Sequence, residues 1–268
     1  LEAKIVLEEM TSPEIGSAIR SGFDTVVFAV GSNEQHGPCL PVITDTAIGD
    51  DLARLVAKRL GNALKGPTIN MGCSEHHMKF PGTITLRKDT LQAVVKDYCE
   101  SLARHGFRRI VVIPTHGGNF GPIAEIEGEL QKAHPDVKII VHADLQQDME
   151  FINKTSEKLG VSKEESGAHA GESEVSMMMW TREDLVRKDK IPGATGYLGE
   201  FTEREADRVF KGGIGALSPI GVLGSPTKAS REHGRIYMED LASALAEYIS
   251  RKSEDLPRAP KTRTKKTK

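Results

Sequence analysis

Three short stretches of this chain concentrate carboxylates and imidazoles where an apolar segment gives way to a loop. The first, GSNEQHGPCLPVITDTAIGDD over residues 31–51, carries Glu34, His36 and Asp45 with Pro38 and Pro41 between them, directly after the apolar run Thr25–Val30. The second, THGGN over residues 115–119, places His116 before paired glycines, just past the apolar run 109–113. The third, HAGESEVSMMMW over residues 169–180, sets His169 on a glycine-containing turn and Glu172 and Glu174 at a helix start. Imidazole and carboxylate ligands without thiolate suit zinc, manganese or iron, and an aspartate lying between two cations can bridge them. Two cations about 3.5–4 Å apart lower the pKa of a shared water and polarise a substrate oxygen. The prolines would hold such ligands in place before a metal arrives, which reduces the ordering cost of the site. Each residue taken singly has a plainer reading: Asp45 or Thr44 caps a helix beginning near Thr46, and a glutamate in a first helical turn answers the helix dipole.

The elements that must position these groups alternate strand with helix. Residues Thr25–Val30, 109–113 and 138–142 are apolar runs of strand length with little polar alternation, the pattern of strands buried on both faces. Between them lie amphipathic stretches at 46–60, at 89–105 with Asp89 as N-cap, and at 119–133. Strand, helix, strand, helix implies a largely parallel sheet, and ligands of such sheets collect at the carboxyl ends of the strands. The glycine-rich segment KGGIGALSPIGVLGSP, residues 211–226, reads as loop or short edge strand, with a closing helix at 238–252. It contains no clean GxGxxG between a strand and a helix, which argues against a dinucleotide-binding protein.

Composition narrows the function further. The chain has 268 residues, 38% hydrophobic and 28% charged, with a formal net charge of −2. That balance gives no pull towards nucleic acid or an anionic membrane. Cys39, Cys73 and Cys99 are widely spaced with no CxxC, which suits reduced thiols in a cytoplasm, and Cys39 reads as a small buried thiol. No apolar run approaches the roughly 18–20 residues of a membrane span, and no basic-then-apolar leader opens the sequence, so the expected location is cytoplasmic. The end, PRAPKTRTKKTK, holds six basic residues and no acidic ones, and reads as a disordered solvated tail.

At this point the motifs together resemble a known family. GSNEQHGPCLPVITDT resembles the signature of the creatininase (creatinine amidohydrolase) family, a Glu-x-His-Gly-Pro segment followed by a Thr-Asp pair, Asp45 falling nine residues after His36. GCSEHHMKFPGTITL (72–86), PTHGGNFG (114–121), GAHAGESEVSMMM (167–179) and GVLGSPTKASREHGR (221–235) resemble its further segments in order. The resemblance covers nearly the whole chain, taken as one domain over 1–255 with the basic tail at 256–268. It implies a three-layer α/β/α sandwich with a mainly parallel central sheet, two divalent metal ions per chain, hydrolysis of a non-peptide C–N bond of a small molecule, and homo-oligomers, tetramers or hexamers.

Carried over by residue, the resemblance makes Glu34, His36, Asp45 and His116 metal ligands, with Asp45 bridging, and His169 the donor of a proton to the leaving nitrogen. Creatinine-cleaving members carry a metal-binding glutamate two residues after the equivalent of His116, where this chain has Gly118. Glu174 is therefore expected to complete the second cation's shell and to act beside it in catalysis, with Glu172 as the neighbouring alternative. Glu75, His76, Gly117, Gly118 and Asn119 are expected at the substrate. His105, His134, His142 and His233 read as structural. Creatinine-cleaving members hold the flat ring between tryptophans, whereas the single Trp180 here falls inside a helix behind three methionines, a packing position. The expected activity is thus metal-dependent hydrolysis of a small cyclic amide or formamide. Alternatives are creatinine itself, maturation of a peptide-derived redox cofactor, and, in another class, an inactive binding protein on the same fold.

Overall fold

The computed structural model describes residues 4–253. Its elements run α1 (Ser12–Arg20), β1 (Thr25–Val30), α2 (Thr44–Leu60), β2 (Ala63–Lys65), α3 (Lys88–Arg104), β3 (Arg109–Pro114), α4 (Gly117–Ala133) and β4 (Lys138–Val141). The chain continues through α5 (Leu145–Lys158), α6 (Lys163–Ser166), α7 (Glu172–Arg182), α8 (Glu203–Gly212) and α9 (Arg231–Ser253). The four strands form one parallel sheet in the order β2-β1-β3-β4. The basic tail expected at 256–268 lies outside the described residues.

The all-apolar strands feed two cores because successive side chains point to opposite faces. Val27, Ala29, Val111, Ile113 and Ile140 pack on one face against α2, α7 and α9. Val26, Phe28, Val30, Ile110, Val112 and Ile139 pack on the other against α3 and α4. Helices on both faces of a parallel sheet make the three layers that the strand–helix alternation predicts. No helix among the described residues is long and apolar enough to cross a membrane.

Strand order reverses between β1 and β3, since the chain leaves β1 for β2 on one side and returns to β3 on the other. The carboxyl ends of those two strands therefore open a crevice at the switch point. Residues 31–36 leave β1 there and Thr115 and His116 leave β3 beside them. Several boundaries differ from those read off the sequence. Helix α2 begins at Thr44 with Ile43 before it, so neither Thr44 nor Asp45 is its cap, and Arg87 rather than Asp89 precedes α3. The 211–226 segment forms turns, the loop rather than the edge strand of the two readings, and it meets the site through the antiparallel bridge of Leu223 to His169 and through the Gly221 carbonyl.

Candidate metal centre

Asp45 sits in the first turn of α2 and is buried, its two carboxylate oxygens divided between two histidines. Oδ1 lies 3.0 Å from His36 Nε2, and Oδ2 lies 3.2 Å from His116 Nδ1 while accepting a 2.7 Å bond from the Ser32 hydroxyl. Each imidazole is fixed from behind. His36 Nδ1 donates to the Glu34 carbonyl at 3.1 Å, and His116 Nε2 donates to the Cys73 carbonyl at 3.0 Å. These backbone bonds select the tautomers whose free nitrogen faces the carboxylates, the arrangement usual for metal-ligating histidines.

Glu34, buried in the loop after β1, completes one set: its Oε1 is 3.2 Å from His116 Nδ1. Glu174 completes another, with Oε2 3.8 Å from His36 Nε2. Ligand atoms of Glu34, Asp45 and His116 lie within 4.8 Å of one another, as do those of His36, Asp45 and Glu174, so Asp45 belongs to both. The donor set fits divalent cations on two further observations. Glu34 Oε2 is buried with no hydrogen-bond partner. The cluster is also short of positive charge. Burial alone would depress the His36 imidazole, but Asp45, Glu174 and Glu34 outweigh it and raise His36 to about 10. His116 is likewise lifted well above the usual range against its own desolvation, by Glu34 and Asp45. Burial, assisted by Asp45 and Glu34, raises Glu174 to about 7. Protons thus supply what a cation would supply, and ligands must shed them to bind one.

Glu172 and Glu174, two residues apart in the first turn of α7, face different surroundings. Glu172 is fully buried against α9: it accepts from Tyr237 Oη and His233 Nδ1, each at 2.7 Å, and from Ser176 Oγ at 2.8 Å. It is a structural carboxylate, and His233 is structural with it. Gly118 leaves no room for a carboxylate of its own. A Cβ there would stand 2.1 Å from the Cys73 carbonyl oxygen and 2.6 Å from His116 Nε2, so this backbone admits no side chain at 118.

His169 approaches from the turn before α7, where Ala170 takes the left-handed conformation (φ 51°) that few non-glycine residues adopt. Its Nε2 donates to the Gln35 carbonyl at 2.8 Å, leaving Nδ1 facing Glu34 Oε1 at 3.8 Å. Burial, reinforced by the charge on His36, holds His169 well below the usual imidazole range, so it is neutral. Gln35 escaped the sequence reading, and His77 was passed over for its neighbour His76. Gln35 Nε2 lies 2.9 Å from His77 Nδ1 and donates to the Gly221 carbonyl at 3.1 Å, which leaves His77 Nε2 to face Glu34 Oε1 at 3.4 Å. The short 3₁₀ turn at Glu75–His77 buries His77 and leaves Glu75 exposed. The available signal was position alone: Gln35 between two ligands, His77 beside His76.

The cluster opens into one cavity whose walls are mainly apolar. His76 and Gly117 line it, as expected of substrate contacts. Glu75, Gly118 and Asn119 do not. Asn119 is buried behind the loop, where it donates to the carbonyls of Val30 and Gly31 and accepts from Cys73 N. Trp180 is also outside, under the Arg231 guanidinium at 4.5 Å.

Comparison with known proteins bears on this geometry directly. The family model described as "Creatininase: Creatinine amidohydrolase" matches residues 8–249. The mycofactocin precursor peptide peptidase of Mycolicibacterium smegmatis is 29% identical over 236 residues, covering 86% of each chain. The creatinine amidohydrolase of Pseudomonas putida is 29% identical over 266 residues, 93% of this chain and 97% of that one. A solved manganese form of creatininase superimposes with a TM-score of 0.77 at 25% identity, over 93% of this chain and 98% of its own. With matches spanning the sheet, the switch-point loops and α9 alike, the chain belongs to the creatininase family of amidohydrolases.

Proposed function

We propose that this protein is a two-metal amidohydrolase in which Glu34, Asp45 and His116 hold one divalent cation, His36, Asp45 and Glu174 hold the other, and Asp45 is shared. The observation that carries this reading is the division of Asp45's two oxygens between His36 and His116. Nitrogen and oxygen donors without sulfur suit zinc, manganese or iron. Bound there, such cations would activate a water as nucleophile and polarise the scissile carbonyl.

The chain's own groups do the rest. His169, neutral and anchored through Nε2 to the Gln35 carbonyl, has Nδ1 free to take a proton and pass it to the departing nitrogen, which leaves poorly until protonated. His77 Nε2 faces Glu34 Oε1 at 3.4 Å and steadies it. The apolar walls, among them Leu52, Ile113, Phe120 and Met177, exclude bulk water and strengthen every polar contact in the crevice.

The substrate we propose is a small cyclic amide or formamide. The absence of tryptophan among the cavity-lining residues disfavours creatinine. Similarity to the mycofactocin precursor peptide peptidase supports a second reading, a peptide-derived substrate whose apolar side chains fill the same walls. A screen of cyclic amides, formamides and short apolar peptides separates the two. On either reading turnover should vanish on chelation and return with added zinc, manganese or iron. Turnover that persists after exhaustive chelation would refute metal-dependent hydrolysis.

We take residues 1–255 as a single domain that assembles as a closed homo-oligomer, tetramer or hexamer. Exposed Ile43, Met78, Ile84 and Phe210 give it apolar surface to cover. Light scattering at micromolar concentration should show several times the 29.2 kDa chain mass, and a monomer would refute it.

A further inference from the structure

A third strand end contributes a polar group to the cavity, and the metal chemistry does not use it. His142 follows directly on β4 and is buried, its ring set edge-on to Tyr248 with centroids 4.9 Å apart. Its Nε2 donates to Asp148 Oδ1 at 2.6 Å. Asp148 lies in the first turn of α5 and lines the same cavity as the metal cluster. Its neighbours on that wall, Leu145, Met149 and Ile152, are apolar.

The Asp148 side chain is 14% exposed and is one of the residues that line the cavity. Oδ2 has no hydrogen bond among the described residues and is not sealed from space. Nor does a lysine or arginine reach it, since none lines the cavity. A tie between β4 and α5 needs only the oxygen that His142 already takes, and an asparagine would make that tie without a charge. The remaining carboxylate oxygen is a hydrogen-bond acceptor on an otherwise apolar wall, and a ligand that covers it without a donor leaves it unpaired.

Charge across the cavity points the same way. With two divalent cations on Glu34, Asp45 and Glu174 the cluster end would carry net positive charge, whereas the α5 wall offers the Asp148 carboxyl, whose pKa burial raises and the His142 hydrogen bond lowers. A ligand matching both ends has an electron-rich carbonyl at the cluster, an apolar middle and a positive nitrogen at Asp148. A phosphorylated substrate finds no lysine or arginine among the lining residues.

We propose that Asp148, oriented by His142, is the specificity-determining carboxylate of this site and recognises a cationic nitrogen, an ammonium or guanidinium group, on an otherwise apolar substrate. The inference rests on the two-metal reading of the cluster.

The test uses metal-loaded protein and two matched series of straight-chain hydroxamates of increasing length, one ending in methyl and the other in ammonium, measured by calorimetry. The hydroxamate anchors on the cations in both series, so only the far end differs. We expect the ammonium-ended probe to bind roughly tenfold or more tightly than its methyl partner at the chain length that reaches Asp148. Asp148→Asn, which keeps an acceptor for His142, should erase that preference and leave the methyl series within about twofold of wild type. A wild-type protein that favours the methyl probe at every length overturns the proposal, whether or not the variant folds. So does an ammonium preference that survives in Asp148→Asn. If neither series binds, the two-metal reading fails first and the proposal falls with it.

Discussion

Replacing Asp45 with alanine should leave a folded protein that retains neither cation at concentrations that saturate the wild type, with turnover reduced to background. Losing a partner outside the ligand shell typically costs 10–100-fold in metal affinity or activity, and Asp45 should cost more because one carboxylate serves both ions. The Ala side chain also strands the Ser32 hydroxyl, which gives up its 2.7 Å bond to Oδ2. Fold loss is not expected to confuse the result, since the buried faces of β1, β3 and α2 do not depend on this carboxylate. Metal titration followed by circular dichroism checks both halves. Two sites at unchanged affinity in Asp45→Ala would remove the shared ligand from the account.

His169→Ala is expected to keep both cations and lose about 10²–10⁴-fold in kcat, the usual contribution of a positioned general acid or base. The imidazole's Nε2 is committed to the Gln35 carbonyl and its Nδ1 faces the cluster, the geometry that a proton carrier needs. His169 is also within 4.8 Å of ligand atoms on Glu34 and His36, so the opposite outcome is physically available. If the substitution strips a cation, His169 is a ligand and the proton must travel by another group. Steady-state kinetics beside metal analysis of the same preparation distinguishes the two.

Much of this site was legible because its residues sit where sequence alone places strand ends. Thr25–Val30 and the run from Arg109 are unbroken apolar segments, so the polar residues just beyond them had to lie at one edge of the sheet. What tertiary packing decides was hidden. Glu172 and Glu174 share a helical turn, but two residues correspond to about 200° around the axis, so they face opposite ways. Only the presence of α9, with His233 and Tyr237, shows which of them is buried structure. Nor could the sequence show that a 3₁₀ turn would bury His77, next to the His76 that was expected at the substrate. Strand β2 is three residues long, too short to show a period, and α5 was passed over although its polar and apolar residues do segregate by face. Asp148 on α5 was missed with its helix, and His142 was read as structural because its partner was out of view.

The central claim is that two cations share Asp45 and that Glu174 supplies the carboxylate Gly118 cannot. Elemental analysis of metal-saturated protein tests it most directly, comparing wild type with Glu174→Gln and Glu172→Ala after equal dialysis. The account predicts two ions per chain in the wild type, one in Glu174→Gln, and two in Glu172→Ala, which should instead lose about 1–3 kcal/mol of stability because Tyr237 and Ser176 lose their buried acceptor. A single ion in the wild type, or two in Glu174→Gln with one in Glu172→Ala, would contradict it.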